Sequence, residues 1–117
     1  KTDQKESASE FITFDDFAKV DFKIGHVLEC KQHEKADRLL VSKIQVGSEV
    51  RQIVSGIAEH YKPEEMVGKQ VVVVTNLKPI KLRGEISEGM ILAASQEDGT
   101  LAVVTTDRDI ESGSSVS

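Results

Sequence analysis

Three stretches of this sequence have residue types and spacing that could do chemistry. His26, Cys30 and His33 recur at intervals of four and three, as metal ligands on one helix face do. On an extended strand, however, His26 and Cys30 would stand about 13 Å apart, so a metal would need a bend or turn there. "GEISEG", residues 84–89, has the glycine spacing of a phosphate loop. Met90-Ile91 follows where such a loop requires Lys and then Ser or Thr, so the phosphate-binding cation and the magnesium-binding hydroxyl are both missing. The third stretch, "NLKPIKLRGEISEGM" (residues 76–90), sets Lys78, Lys81 and Arg83 within six residues with no acid among them. Its chemistry would be recognition of a polyanion. Arginine brings a planar fork suited to phosphate or base edges, and the lysines act as flexible point charges.

Catalysis finds no support. No Gly-x-Ser-x-Gly elbow occurs, and neither Ser55-Gly56 nor Ser87 stands in a recognisable nucleophile pattern with a histidine. The chain is read as noncatalytic, with no metal site and no cofactor.

Composition limits what the cations can do. The formal net charge is −5 over 117 residues, yet it is uneven: −1 over residues 1–10, −4 over residues 96–117, and zero between. A neutral body with acidic ends does not coat nucleic acid indiscriminately, so any such role is local and directed by shape. All four phenylalanines lie at or before Phe22, and the one tyrosine is Tyr61. A surface that stacks single-stranded bases on aromatic side chains is therefore absent from the later strands. Binding would fall to cations, amides and hydroxyls. One cysteine cannot form an internal disulfide, which fits a reducing compartment, and cytoplasm is the expected setting. No apolar run approaches the roughly 20 residues of a membrane span, and no membrane partner is expected.

The cationic stretch needs a scaffold, and the pattern supplies short strands. Residues 1–12 read as a flexible linker ahead of one domain, 13–117. A chain beginning with Lys is read as part of a longer protein or as a processed product. "FITFDDFAKV" predicts a helical turn capped by Thr13 or Asp15, with Phe14 and Phe17 packed on the body. Val20, Phe22 and Ile24 alternate with polar residues, after which the apolar parity flips. A bulge near Gly25 would repair that slip. Leu40, Ser42, Ile44 and Val46 predict a second strand, hairpinned at Gly47-Ser48 to a third, "EVRQIVSGI". Pro63 opens a short helix closed by Gly68. "QVVVVTNL" reads as a central strand buried on both faces, and "QEDG" turns a last hairpin. Pro79 should end the sheet and leave Lys78, Lys81 and Arg83 on a loop at its rim. Five strands with a helix between the third and fourth predict an all-β OB-fold, a small Greek-key barrel, with a C-terminal extension.

Five motifs, "DFKIG" (21–25), "HEKADRL" (33–39), "RQIVSGIA" (51–58), "VVVVTNLKP" (71–79) and "LRGEISEGM" (82–90), occur in an order that resembles the tRNA-binding domain family. The likeness covers about residues 13 to 117 and is nearest to the C-terminal appendage of bacterial methionyl-tRNA synthetase, with free-standing tRNA-binding proteins close behind. It implies an OB-fold, a homodimer, and tRNA bound by its shape. It places Asn76, Lys78, Arg83, Ser87 and Met90 on the family's RNA-facing motif, beside the Lys81 singled out above. It adds Gln52 and Ser55 from the third strand, and Lys35 and Arg38 from the loop before the second. It assigns Asp37 and Leu39 to loop and core, and leaves Met90 between core and RNA. Lys23 stands where the family more often has arginine, and Glu34 where it often has proline. The resemblance thus implies a noncatalytic tRNA-binding and homodimerising module, covalently linked to a synthetase catalytic domain. The alternatives are a module that chiefly dimerises, and a free-standing tRNA-binding or chaperone-like protein.

Overall fold

The computed structural model of the chain describes residues 10–117, so most of the expected linker lies outside the described residues. A single turn of helix, α1 (Phe14–Phe17), opens the domain. Thr13 is its cap: the hydroxyl accepts from the Asp16 amide at 3.1 Å, and Asp15 and Asp16 complement the positive helix end. Of its two phenylalanines, Phe17 packs on the body as expected, against Phe22 of the first strand, and Phe14 does not. Phe14 is 77% exposed, and the rings stack on one another, Phe14 on Phe17 at 6.3 Å and Phe17 on Phe22 at 5.8 Å.

The first strand, β1 (Phe22–Gln32), begins two residues later than the alternation predicted and organises everything else. β2 (Leu40–Val46) and β3 (Glu49–Ser55) follow as the expected hairpin. After helix α2 (Pro63–Met66) comes β4 (Gln70–Val74), then β5 (Ile80–Leu82), β6 (Glu85–Ser87) and β7 (Met90–Ile91). β8 (Ala93–Ser95), β9 (Leu101–Val103) and β10 (Ser115–Val116) complete the chain. The main sheet runs β3-β2-β1-β4-β7, antiparallel throughout. The first half of β1 pairs with β4 and the second half with β2, so the sheet curls about this strand. This is an OB-fold half-barrel, all-β, with its helix between β3 and β4.

Two features of β1 allow the curl. The bulge falls between Val27 and Glu29, not at Gly25, and throws Leu28 outward. Gly25 answers a different need. A Cβ there would sit 2.5 Å from Ile44 Cγ2 and 3.0 Å from Val73 Cγ2, so β1 crosses the core where only a bare backbone fits. The core beneath is β-branched and aliphatic: Leu40, Ile44, Ile53, Val71 and Val73 have essentially no exposure. Met66 of α2, equally buried, joins the same cluster.

The chain does leave the sheet after β4, but it does not form a loop. β5 and β6 pair as a hairpin, Ile80 opposite Ser87 and Leu82 opposite Glu85. Its turn is Arg83-Gly84, with φ of 52° and 96°, the consecutive left-handed pair of a type I′ turn. For arginine that conformation costs about 1–2 kcal/mol. The C-terminal extension folds back: the Ile110 carbonyl lies 2.8 Å from His26 Nε2, and β10 pairs with the start of β1. No helix among the described residues is long and apolar enough to cross a membrane.

Candidate nucleic-acid interface

The free edge of β3 meets residues 85–89 along a seam closed mostly by side chains. The Val54 amide donates to Ser87 Oγ at 2.9 Å, and that hydroxyl donates onward to the Gly89 carbonyl at 2.9 Å. The Gln52 amide donates to Glu88 Oε1 at 2.9 Å, while Gln52 Nε2 donates to the Ile86 carbonyl at 2.9 Å. Lys43 Nζ donates to Gln52 Oε1 at 2.9 Å and completes that side chain's bonding. An edge strand would otherwise leave these amides bare.

Several residues assigned by resemblance thus have structural work. Ser87 is 3% exposed with its hydroxyl fully engaged, and Gln52 is half-buried in the seam. Asn76 ties the chain entering β1 to the end of β4: its Oδ1 accepts from the Asp21 amide at 2.9 Å and its Nδ2 donates to the Lys19 carbonyl at 2.7 Å. Ser55 is buried, and its hydroxyl has no partner among the described residues. It shares a shallow groove of about 320 Å³ with Met90, whose side chain is half exposed. The Asp21 carboxylate accepts a hydrogen bond from Thr75 Oγ1 at 2.8 Å. That bond, with Lys23 nearby, holds the carboxyl below its ordinary value.

The cations stand apart from this internal bonding. Lys35, Lys78, Lys81 and Arg83 are exposed, and none pairs with a carboxylate of a described residue. Arg83 Nη2 donates to the Lys35 carbonyl at 3.2 Å, which brings the β1–β2 loop against the hairpin tip although 48 residues separate them. Arg38 lies 3.4 Å from Glu59, both exposed; such a pair contributes about 1 kcal/mol or less and yields readily to a phosphate. From Lys78 at the hairpin base, through Lys81, to Arg83 and Lys35 at its tip, positive groups follow the outside of the barrel.

A larger cleft lies in a different place. It measures about 610 Å³ between the start of β3 and the hairpin base, with Arg51 flanked by Glu49 and Glu88. Arg51 is consumed there, bonding Glu49 Oε1 at 2.9 Å and the carbonyls of Thr75 at 2.6 Å and Glu88 at 3.1 Å. A guanidinium so occupied, paired with the Glu49 carboxylate and bonded to two carbonyls, does not attract phosphate. Arg51 does not stand out in the sequence as a site residue, although an arginine within an alternating strand marks a side chain that must find acceptors. The other residues with chemical potential are dispersed. His26 is bonded to Ile110 and His33 to Leu82. Cys30 is half-buried, and burial pushes its thiol up.

Residues 22–115 match the family model described as a putative tRNA binding domain. The chain belongs to that family. A methionine–tRNA ligase of Bacteroides fragilis is 59% identical to this tRNA-binding domain over 105 residues, which cover 90% of this chain and 16% of the ligase. The domain therefore spans about one sixth of such a relative. Among solved structures, a methionyl-tRNA-synthetase-related protein from Pyrococcus horikoshii superposes with a TM-score of 0.86 at 34% identity, covering 91% of this chain and 97% of that one. The chaperone CsaA of Bacillus anthracis gives 0.82 at 26% identity, covering 92% and 99%.

Proposed function

We propose that the chain is a noncatalytic tRNA-binding and homodimerisation module, carried at the C-terminus of a methionyl-tRNA synthetase in the cytoplasm. One observation carries this reading: a line of exposed cations, unpaired among the described residues, along the β5–β6 hairpin and the loop beside it. Kinship with methionine–tRNA ligases supports tRNA as the polyanion. The absence of aromatic residues from the later strands favours a folded RNA backbone over splayed bases. A linked module would raise the tRNA concentration at the catalytic domain without contacting the reaction. Dimerisation finds support in two apolar exposures, Phe11, Ile12 and Phe14 ahead of β1, and Val104 after the β8–β9 hairpin. A second copy covering them would present two RNA surfaces.

Titration of a folded tRNA transcript and of an unstructured RNA of equal length tests the reading. With about three phosphates contacted, log affinity should fall against log salt with a slope near −2 to −3, and the folded tRNA should bind more tightly. No affinity for folded tRNA at low salt would remove it. The likeness to a chaperone structure favours a second reading, binding of unfolded polypeptide. Competition between tRNA and a denatured protein for the same domain separates the two.

A further inference from the structure

His33 is 4% exposed, yet it sits between two cationic segments. On its own loop, the Lys35 amide donates to His33 Nδ1 at 2.9 Å. Across the gap, His33 Nε2 lies 3.2 Å from the carbonyl of Leu82, at the end of β5. An amide N–H only donates and a carbonyl only accepts, so Nδ1 is bare and Nε2 carries the proton. The ring is held in one tautomer and spends both nitrogens on backbone. A second bond crosses the same gap from the other side, Arg83 Nη2 to the Lys35 carbonyl at 3.2 Å. Gln32 completes the loop by donating from Nε2 to the carbonyls of Ala36 and Leu39, 3.0 Å each.

We propose that His33 is the positioning residue that splices the β1–β2 loop to the β5–β6 hairpin, so that Lys35 and Arg83 meet the RNA as one surface. The two cations belong to segments with no strand pairing between them. Without the splice each would sample positions independently, and binding would have to order both loops. With it, that order exists before RNA arrives. His33 itself touches no RNA in this arrangement, since its polar atoms are spent inside the protein.

The inference rests on the tRNA-binding reading, and two substitutions separate them. His33→Asn keeps an oxygen at the Nδ1 position, which can accept from the amide two residues on as an Asx turn does, but falls short of Leu82. His33→Gln puts an amide nitrogen at the Nε2 position, which preserves the link to Leu82 and gives up the turn. Both lose a buried ring, so a purely structural histidine predicts equal effects. The splice predicts that His33→Asn weakens binding of a folded tRNA transcript on the order of tenfold and reduces the salt slope by about one, while His33→Gln stays within about threefold of the parent. Equal losses in both variants, or none in either, would overturn the splice while leaving the tRNA reading intact. A parent that fails to bind tRNA removes the tRNA reading itself. Amide hydrogen exchange on the parent, across a tRNA titration, needs no variant to fold. Residues 33–39 and 80–87 gaining protection together at one midpoint supports the splice; protection of only one segment, or two midpoints, overturns it.

Discussion

Ser87→Ala distinguishes a residue that closes the barrel from one that touches RNA. The buried hydroxyl links the Val54 amide and the Gly89 carbonyl at 2.9 Å each, and alanine removes both bonds without changing the shape of the site. The Val54 amide points away from the β2 ladder, in a residue 6% exposed, and has no other partner to turn to. An orphaned buried donor costs about 1–3 kcal/mol, and loss of the second bond adds about 1 kcal/mol, for a total of about 2–4 kcal/mol. For a domain of this size that is a fall in melting temperature of about 8–16 °C. The assay pairs a thermal melt with a tRNA titration run well below both melting temperatures. The seam predicts a lower melt and tRNA affinity close to the parent. An unchanged melt with lost affinity would refute it, and would return Ser87 to the RNA-facing set that the family motif implies.

Other outcomes follow from the same packing. Asp21 is held below its ordinary value by Thr75 and Lys23, so its contribution is present above about pH 3.9 and fades as pH falls through the lower folded value. Thermal melts from pH 6 to pH 2 should show the parent more stable than Asp21→Asn at the upper end, with the gap closing at the lower; a gap constant with pH would contradict this. Gly25→Ala drives a methyl group to 2.5 Å from Ile44 and should destabilise by about 1–3 kcal/mol, measured by urea denaturation. A neutral effect there would mean that β1 can move off the core.

Much of the scaffold was legible because period and punctuation agree. Leu40, Ser42, Ile44 and Val46 alternate into the core, Gly47 turns the hairpin, and four consecutive valines mark the strand buried on both faces. Pro63 and Gly68 bracket the helix for reasons of backbone alone. The β5–β6 hairpin was not legible. Pro79 announces the end of a sheet, and nothing local says that Arg83 will accept a left-handed backbone to make a tight turn. The seam was hidden for a different reason. Gln52, Ser87 and Glu88 meet through side chains more than 30 residues apart, so neither alternation nor spacing records the contact. The same motif residues looked like ligand-binding groups because hydroxyls and amides serve both purposes, and only burial tells them apart. Phe14 failed in the opposite sense: its spacing from Phe17 spoke for packing, and the body it should have packed on does not extend that far among the described residues. The exposure of Lys78, Lys81 and Arg83 was legible, since an acid-free run of three cations has few partners within local reach.

Reversal of the hairpin charges bears most directly on the RNA surface: Lys78→Glu, Lys81→Glu and Arg83→Glu together, with tRNA affinity measured across salt. The exposed cation line predicts a loss on the order of a hundredfold or more at low salt and a slope flattened toward zero, with melting temperature shifted by only about 2 °C and the oligomeric state unchanged. A variant that binds tRNA with the parent's affinity and the parent's salt slope would contradict it.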